Sequence, residues 1–114
     1  MNFKIKKGKG VRGEITIPGD KSISHRSIMC ASLAEGKSKI YGFLEGEDCL
    51  ATKIAFKDMG INFESNNDEI IVHGSGLYGL KEPKQEINLG NSGTSIRLLS
   101  GILSAQKFSS TLIG

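Results

Sequence analysis

The chain has 114 residues, enough for one domain with one modest core. Fifteen Lys and Arg against 12 Asp and Glu leave a net charge of +3, too small to argue for nucleic acid by itself, and 38% hydrophobic with 24% charged residues excludes a compositionally disordered chain. No apolar run approaches the ~20 residues of a membrane-spanning helix, and the basic N-terminus lacks the apolar stretch of a signal peptide.

Residues 3–7 alternate Phe3 and Ile5 with Lys4 and Lys6, which predicts a short strand; Gly8, Gly10 and Gly13 interrupt it. Residues 14–17 predict a second strand, stopped by Pro18-Gly19-Asp20. A helix follows, with Asp20, Ser22 and Ser24 as candidate caps and Ile23, Ser27, Ile28, Cys30, Ala31, Leu33 and Ala34 as its apolar side. Gly36 ends it. Residues 38–44 read as a strand, and residues 49–59 as a helix with Leu50, Ala51, Ile54, Ala55 and Met59 as a partial stripe. Residues 61–64 and 69–73 form a hairpin around Asn66-Asn67-Asp68. A glycine-containing loop leads to a short strand at 86–89, a glycine-rich turn, a helix to about Ala105 along Ile96, Leu99 and Leu103, and a last strand at 108–113. This alternation predicts an α/β or α+β domain.

A weak internal repeat accompanies it. Pro18-Gly19-Asp20-Lys21-Ser22-Ile23-Ser24-His25-Arg26 parallels Leu89-Gly90-Asn91-Ser92-Gly93-Thr94-Ser95-Ile96-Arg97. Each is a strand end, a Gly-Asp or Gly-Asn turn, small hydroxyl residues, and a helix with Arg in its first turns. A helix N-terminus favours anions through its unpaired N–H groups and partial positive charge. The first turn adds Lys21, Ser22 and, one helical turn on, the planar fork of Arg26. The set reads either as a site for a small ligand with separate anionic groups or as a capped helix with exposed cations. In the second turn Gly93 leaves its backbone open to a ligand, while Asn91 can cap the helix or bind. Arg97 either faces the site or neutralises a nearby carboxylate structurally, and the structural role is preferred.

Other chemistries find little support. Cys30 and Cys49 lack metal-ligand spacing and read as free buried thiols. The Walker A pattern is absent, and the Gly8, Gly10, Gly13 spacing lacks the strand–helix context of a dinucleotide fold. Ser24 and His25 are sequence neighbours with no evident third group for nucleophilic catalysis. His73 reads as a polar strand residue, and Asp48, Asp58, Asp68 and Glu69 show no spacing that pairs them for acid–base work.

The two turns, at this separation, closely resemble the N-terminal signatures of the 3-phosphoshikimate 1-carboxyvinyltransferase (EPSP synthase) family, and the resemblance covers essentially the whole chain. Ser92 and Ser95 depart from the commoner alanines, and Leu98 from a common proline. The resemblance implies an enolpyruvyl transferase fold of βαβαββ units, here one full unit and part of a second. Residues 1–20 would belong to the other domain of the longer family members, and residues 21–114 to the shikimate 3-phosphate-binding domain. It implies transfer of the enolpyruvyl group from phosphoenolpyruvate to the 5-hydroxyl of shikimate 3-phosphate, in the cytoplasm, without metal or organic cofactor and without nucleic-acid or membrane partners. Lys21, Ser22 and Arg26 would contact shikimate 3-phosphate; Lys21, Asn91, Gly93 and Thr94 would contact phosphoenolpyruvate; Lys21 would also be the one catalytic participant. The acidic catalytic residues and further cationic clamps of the family would lie beyond Gly114, so the chain alone is expected to be inactive and to self-associate. Two competing readings are a UDP-amino-sugar enolpyruvyl transferase, which usually has Lys-Asn where this chain has Lys21-Ser22, and a non-catalytic anion-binding module.

Overall fold

The computed structural model describes residues 1–114. Three helices and five strands follow residue 20: α1 (Lys21–Leu33), β1 (Glu35–Tyr41), α2 (Glu47–Asp58), β2 (Asn62–Asn66), β3 (Glu69–Ser75), β4 (Ile87–Asn88), α3 (Gly93–Ser104) and β5 (Leu112–Ile113). The α/β class expected from the alternation is therefore present.

Asp20 starts α1 by accepting the Ile23 N–H at 2.8 Å. Glu47 and Asp48 occupy the first turn of α2 and Lys57 its last, so its charges oppose its dipole. Ser92 caps α3 through the Ser95 N–H. Asn67, with φ of 48°, takes the left-handed position of the β2–β3 turn, which asparagine tolerates. The strands β1, β3 and β2 form an antiparallel sheet with β3 central; Lys39 faces Ile71 and Ser65 faces Ile70. The pair β4 and β5 is parallel, joined by α3.

Helix α1 lies on β3 and β1 and against α2, and α2 reaches β4 and α3. Ile28, Met29, Phe56, Met59, Ile70, Val72, Ile87, Leu89, Leu99 and Leu103 share one continuous core. The core thus binds all three helices to both sheets and sets their N-terminal ends relative to one another.

Several expectations need correction. Residues 3–7 and 14–17 form no strand; Phe3, Ile5, Ile15 and Ile17 are exposed. An alternating pattern supplies two faces, but a strand exists only when a neighbour pairs with its backbone, and none lies along this segment. The helix–strand–helix–strand–strand part of the expected unit is therefore present without its leading strand. Strand β1 starts and ends three residues before the predicted 38–44, and the last strand is only Leu112–Ile113. The buried faces of the first two helices are rotated. Ile23 and Cys30 of α1 and Ile54 of α2 face solvent, while Ser24, His25, Ser32 and Thr52 go inside. Of the two free cysteines only Cys49 is buried.

Candidate functional site

The first turn of α1 presents Lys21, Ser22 and Arg26 to solvent. Arg26 folds back along the helix, and its Nη1 donates to the Ser22 carbonyl at 3.2 Å. The first turn of α3 repeats this arrangement. Asn91 and Gly93 are exposed, Thr94 is half-buried, and Arg97 Nη1 donates to the Gly93 carbonyl at 2.9 Å. Arg97 has no carboxylate partner, which corrects the reading that it neutralises one. Ser92, not Asn91, is the α3 cap, so the Asn91 side chain is left without a protein partner.

A buried set of side chains joins these two turns. His25 Nδ1 lies 2.8 Å from Thr52 Oγ1 of α2, and Thr52 Oγ1 lies 2.8 Å from Ser95 Oγ of α3. Ser95 Oγ is 3.4 Å from His25 Nδ1 and 2.6 Å from the capping Ser92 Oγ. Two helix starts 70 residues apart in sequence are therefore neighbours in space. The start of α2 joins them, because Asp48 in its first turn forms an ion pair with Lys21. Acidic side chains sit at two of the three helix N-termini: Glu47 and Asp48 in the first turn of α2, and the capping Asp20 of α1, which takes up the Ile23 N–H. The α3 start has the neutral Ser92 cap, and the first turns of α1 and α3 contain no acidic residue, so the N–H groups these caps leave free stay open to an outside anion.

The electrostatics follow from these contacts. The hydrogen bond to Asp48, then its charge, raises the Lys21 pKa, so its ammonium is retained; Lys21 is still about half exposed, 53%, and can share a second anion. Burial, then the charge of Lys21, pulls His25 below its ordinary value and keeps it neutral near pH 7. Burial raises the Cys49 thiol. A small hollow of about 240 Å³ opens beside Lys21, between Asp48, Leu44 and Cys49. Larger hollows of about 500 and 560 Å³ lie against residues 16–19 and 42–45 and at the far side of α3, but neither is lined by Lys or Arg. The cations are at the converging helix starts, and so is the chemistry available to an anionic ligand. No group of three or more His, Cys, Asp or Glu side chains is placed to hold a metal.

A family model for EPSP synthase (3-phosphoshikimate 1-carboxyvinyltransferase) matches residues 5–114. The chain belongs to the EPSP synthase family. It is 59% identical over 112 residues to a 3-phosphoshikimate 1-carboxyvinyltransferase of Ruthia magnifica subsp. Calyptogena magnifica, covering 98% of this chain and 26% of that protein. It is 55% identical over 115 residues to one from Legionella pneumophila (strain Corby), covering 100% of this chain and 27% of the relative. An EPSP synthase structure from Acinetobacter baumannii superimposes with a TM-score of 0.85 at 58% identity, over 90% of this chain and 23% of that one. The chain thus spans about a quarter of the length of the EPSP synthases it matches. Their fold is the enolpyruvyl transferase fold expected from the two turns.

All six residues assigned from the sequence lie at the α1 and α3 starts. The sequence reading missed the buried His25, Thr52 and Ser95 and the Asp48 partner of Lys21. No spacing in the chain relates residues 25, 52 and 95. The one available signal was a histidine flanked by hydroxyl residues beside a cationic turn.

Proposed function

We propose that this chain supplies the shikimate 3-phosphate-binding side of an EPSP synthase, together with the glycine turn that receives phosphoenolpyruvate. Residues 21–114 form that side, and residues 1–20 pair within the other domain of the longer enzyme. Ser22 and Arg26 hold shikimate 3-phosphate, Asn91, Gly93 and Thr94 hold phosphoenolpyruvate, and Lys21 reaches both. The reaction transfers the enolpyruvyl group to the 5-hydroxyl of shikimate 3-phosphate and releases phosphate. It needs an acid that protonates the methylene carbon, a base for the hydroxyl, and cations that hold two anionic reactants together. Lys21 and Arg26 supply cations here; the acid that protonates the methylene carbon, the base that takes the hydroxyl proton and the remaining clamps come from elsewhere in the enzyme. The reaction belongs to the cytoplasmic supply of aromatic amino acids.

One observation carries this reading. Two electropositive helix starts, one with Lys21 and Arg26 and the other with an exposed Gly93, are held side by side through His25 and Ser95. Two adjacent anion sites suit two anionic reactants that must exchange a group. The test is calorimetry and steady-state turnover on the full-length polypeptide. Arg26→Ala is expected to weaken shikimate 3-phosphate binding by about 1.5–3 kcal/mol, as loss of a charge-assisted hydrogen bond does. Lys21→Ala is expected to abolish most turnover. Unchanged affinity for both reactants in the two variants would overturn the assignment, as would turnover by the 114-residue chain alone overturn its dependence on the rest of the enzyme.

A further inference from the structure

We propose that Asn88 is a positioning residue: its side chain sets the turn at Gly90 and so aims the α3 start, with Asn91, Gly93 and Thr94, at phosphoenolpyruvate. The proposal rests on the functional reading above and adds a residue that touches neither reactant.

The turn is short, and both its ends are fixed. On one side Ile87 and Leu89 are buried in the core, and their N–H groups donate to the Thr111 and Ile113 carbonyls at 2.9 and 2.8 Å. On the other side Ser92 caps α3: its Oγ accepts the Ser95 N–H, and its carbonyl accepts the Ile96 N–H. Only Gly90 and Asn91 lie between. Their backbone angles therefore decide how α3 leaves β4. They also decide where the Gly93 and Thr94 N–H groups point, which have no acceptor inside the helix.

Gly90 carries most of that choice. Its φ of 55° is left-handed, and a Cβ there would meet nothing within 4 Å, so the conformation and not the space calls for glycine. A glycine in a turn has many other conformations open to it, and two contacts remove them. Asn88 Oδ1 accepts the Gly90 N–H at 2.9 Å, the local turn that asparagine side chains make two residues on. The Gly114 backbone, just after β5, lies so close that a Cβ on Gly114 would be 2.2 Å from the Gly90 carbonyl oxygen. The first turn shares the second brace, with Gly19 against Gly42 just after β1. It lacks the first, because Ile17 stands where Asn88 does; Pro18 stiffens the backbone there, where the second turn has Leu89. Asn88 thus supplies a restraint that the second turn otherwise lacks. Nothing else accounts for it: asparagine is a poor strand former, it is exposed, and Gly90 is its side chain's one hydrogen-bond partner.

The experiment uses the full-length polypeptide and measures KM and kcat for phosphoenolpyruvate at saturating shikimate 3-phosphate. Asn88→Val removes the acceptor and suits a strand; Asn88→Thr has nearly the same shape and keeps a hydroxyl that can accept the Gly90 N–H. Asn88→Val is expected to raise KM for phosphoenolpyruvate about five- to tenfold with kcat within about twofold, the pattern of binding lost equally before and during the reaction. Asn88→Thr is expected to recover most of that rise. Shikimate 3-phosphate affinity, read by calorimetry, is expected to stay within about twofold in both variants. A merely structural role would lower the melting temperature of Asn88→Val and leave that KM unchanged, which would overturn the proposal. A KM rise that Asn88→Thr shares in full would overturn it too. In the ligand-free wild type, hydrogen exchange at the Gly90 amide is expected to be slower than at the unpartnered Asn91 amide, each relative to its unfolded-chain rate. This readout needs no variant to fold, and equal protection at the two amides would remove the restraint on which the proposal stands. A wild-type protein that binds both reactants while Asn88→Val keeps the parental KM sinks this proposal only. A wild-type protein that binds neither sinks the functional reading and this proposal with it.

Discussion

A Cβ on Gly19 would lie 1.9 Å from the Gly42 carbonyl oxygen and 3.2 Å from its carbon. Both are backbone atoms, so no side-chain rotation relieves the clash. The residue is glycine because the chain must pass the Gly42–Leu44 loop closely before Asp20 caps α1. Gly19→Ala is expected to lower stability by about 1–3 kcal/mol, the usual range for overpacking, read as a fall in the denaturation midpoint. Gly93 presents the opposite case. Its Cβ would meet only Arg97 Nη1, at 2.7 Å, the far end of a flexible side chain. Gly93→Ala should therefore keep stability within about 0.5 kcal/mol of the parent, because Arg97 can swing away. In the full-length enzyme the added methyl occupies backbone that the proposed phosphoenolpyruvate site uses, so its KM is expected to rise. A large stability loss at Gly93 with no change in KM would contradict both halves of this comparison.

Among the elements, the helices and the β2–β3 hairpin were legible because each carries local punctuation. Asp20, Gly60 and Asn67 sit where a cap and left-handed turns are required, whereas Gly36, expected to end α1, lies inside β1 opposite Gly74; the helix ends at Leu33, with Ala34 as its C-cap. The helix faces were less legible. Ser24, His25, Ser32 and Thr52 lie outside the apolar stripes read from the sequence, yet the fold buries them and turns Ile23, Cys30 and Ile54 outward. A polar residue goes inside more readily when a partner waits there: the partners of His25 come from helices 27 and 70 residues away, and Ser24 accepts from the Leu44 N–H, while Ser32 Oγ has no partner. The six candidate site residues were legible because they sit in local turns; the set that aligns the turns was not. This buried set has a pH signature. His25 has a folded pKa below its ordinary 6.5, chiefly through burial. The unfolded chain takes up the proton near pH 6.5, so this contribution is complete above that value and is lost as pH falls toward the lower folded pKa. Stability is expected to decline from about pH 6.5 downward, with a slope no steeper than ~1.4 kcal/mol per pH unit for one proton. Denaturant titrations between pH 7.5 and 5.5, taken here as roughly one unit either side of the histidine range, check it. His25→Gln should flatten that segment; an equal slope in both proteins would place the titrating group elsewhere.

At the scale of the whole molecule, surface and shape point the same way. The radius of gyration is 17.1 Å, against about 13 Å for a compact domain of this length. The accessible surface is 8412 Å², whereas a folded monomer of this mass exposes about 6,100 Å². The excess, roughly 2,300 Å², exceeds a standard protein–protein interface of ~1,600 Å². Residues 1–17 contribute to it with Phe3, Ile5, Val11, Ile15 and Ile17, all exposed. Their alternation with polar residues gives a segment able to add to a strand edge. The outer edges of β1 and β2 are unpaired in the three-stranded sheet. A second copy can therefore satisfy both needs by pairing its extended segment with an edge of the first. The 114-residue chain on its own is expected to self-associate. Sedimentation velocity from low to high micromolar concentration should show a rising weight-average coefficient. Phe3→Ser with Ile5→Ser and Ile15→Ser should weaken that rise without lowering the unfolding midpoint of residues 21–114, because these side chains make no part of the core. A single monomeric boundary throughout would mean that the excess apolar surface is tolerated in water. A rise that the triple substitution leaves intact would move the contact from the extended segment to the exposed Ile96 side of α3.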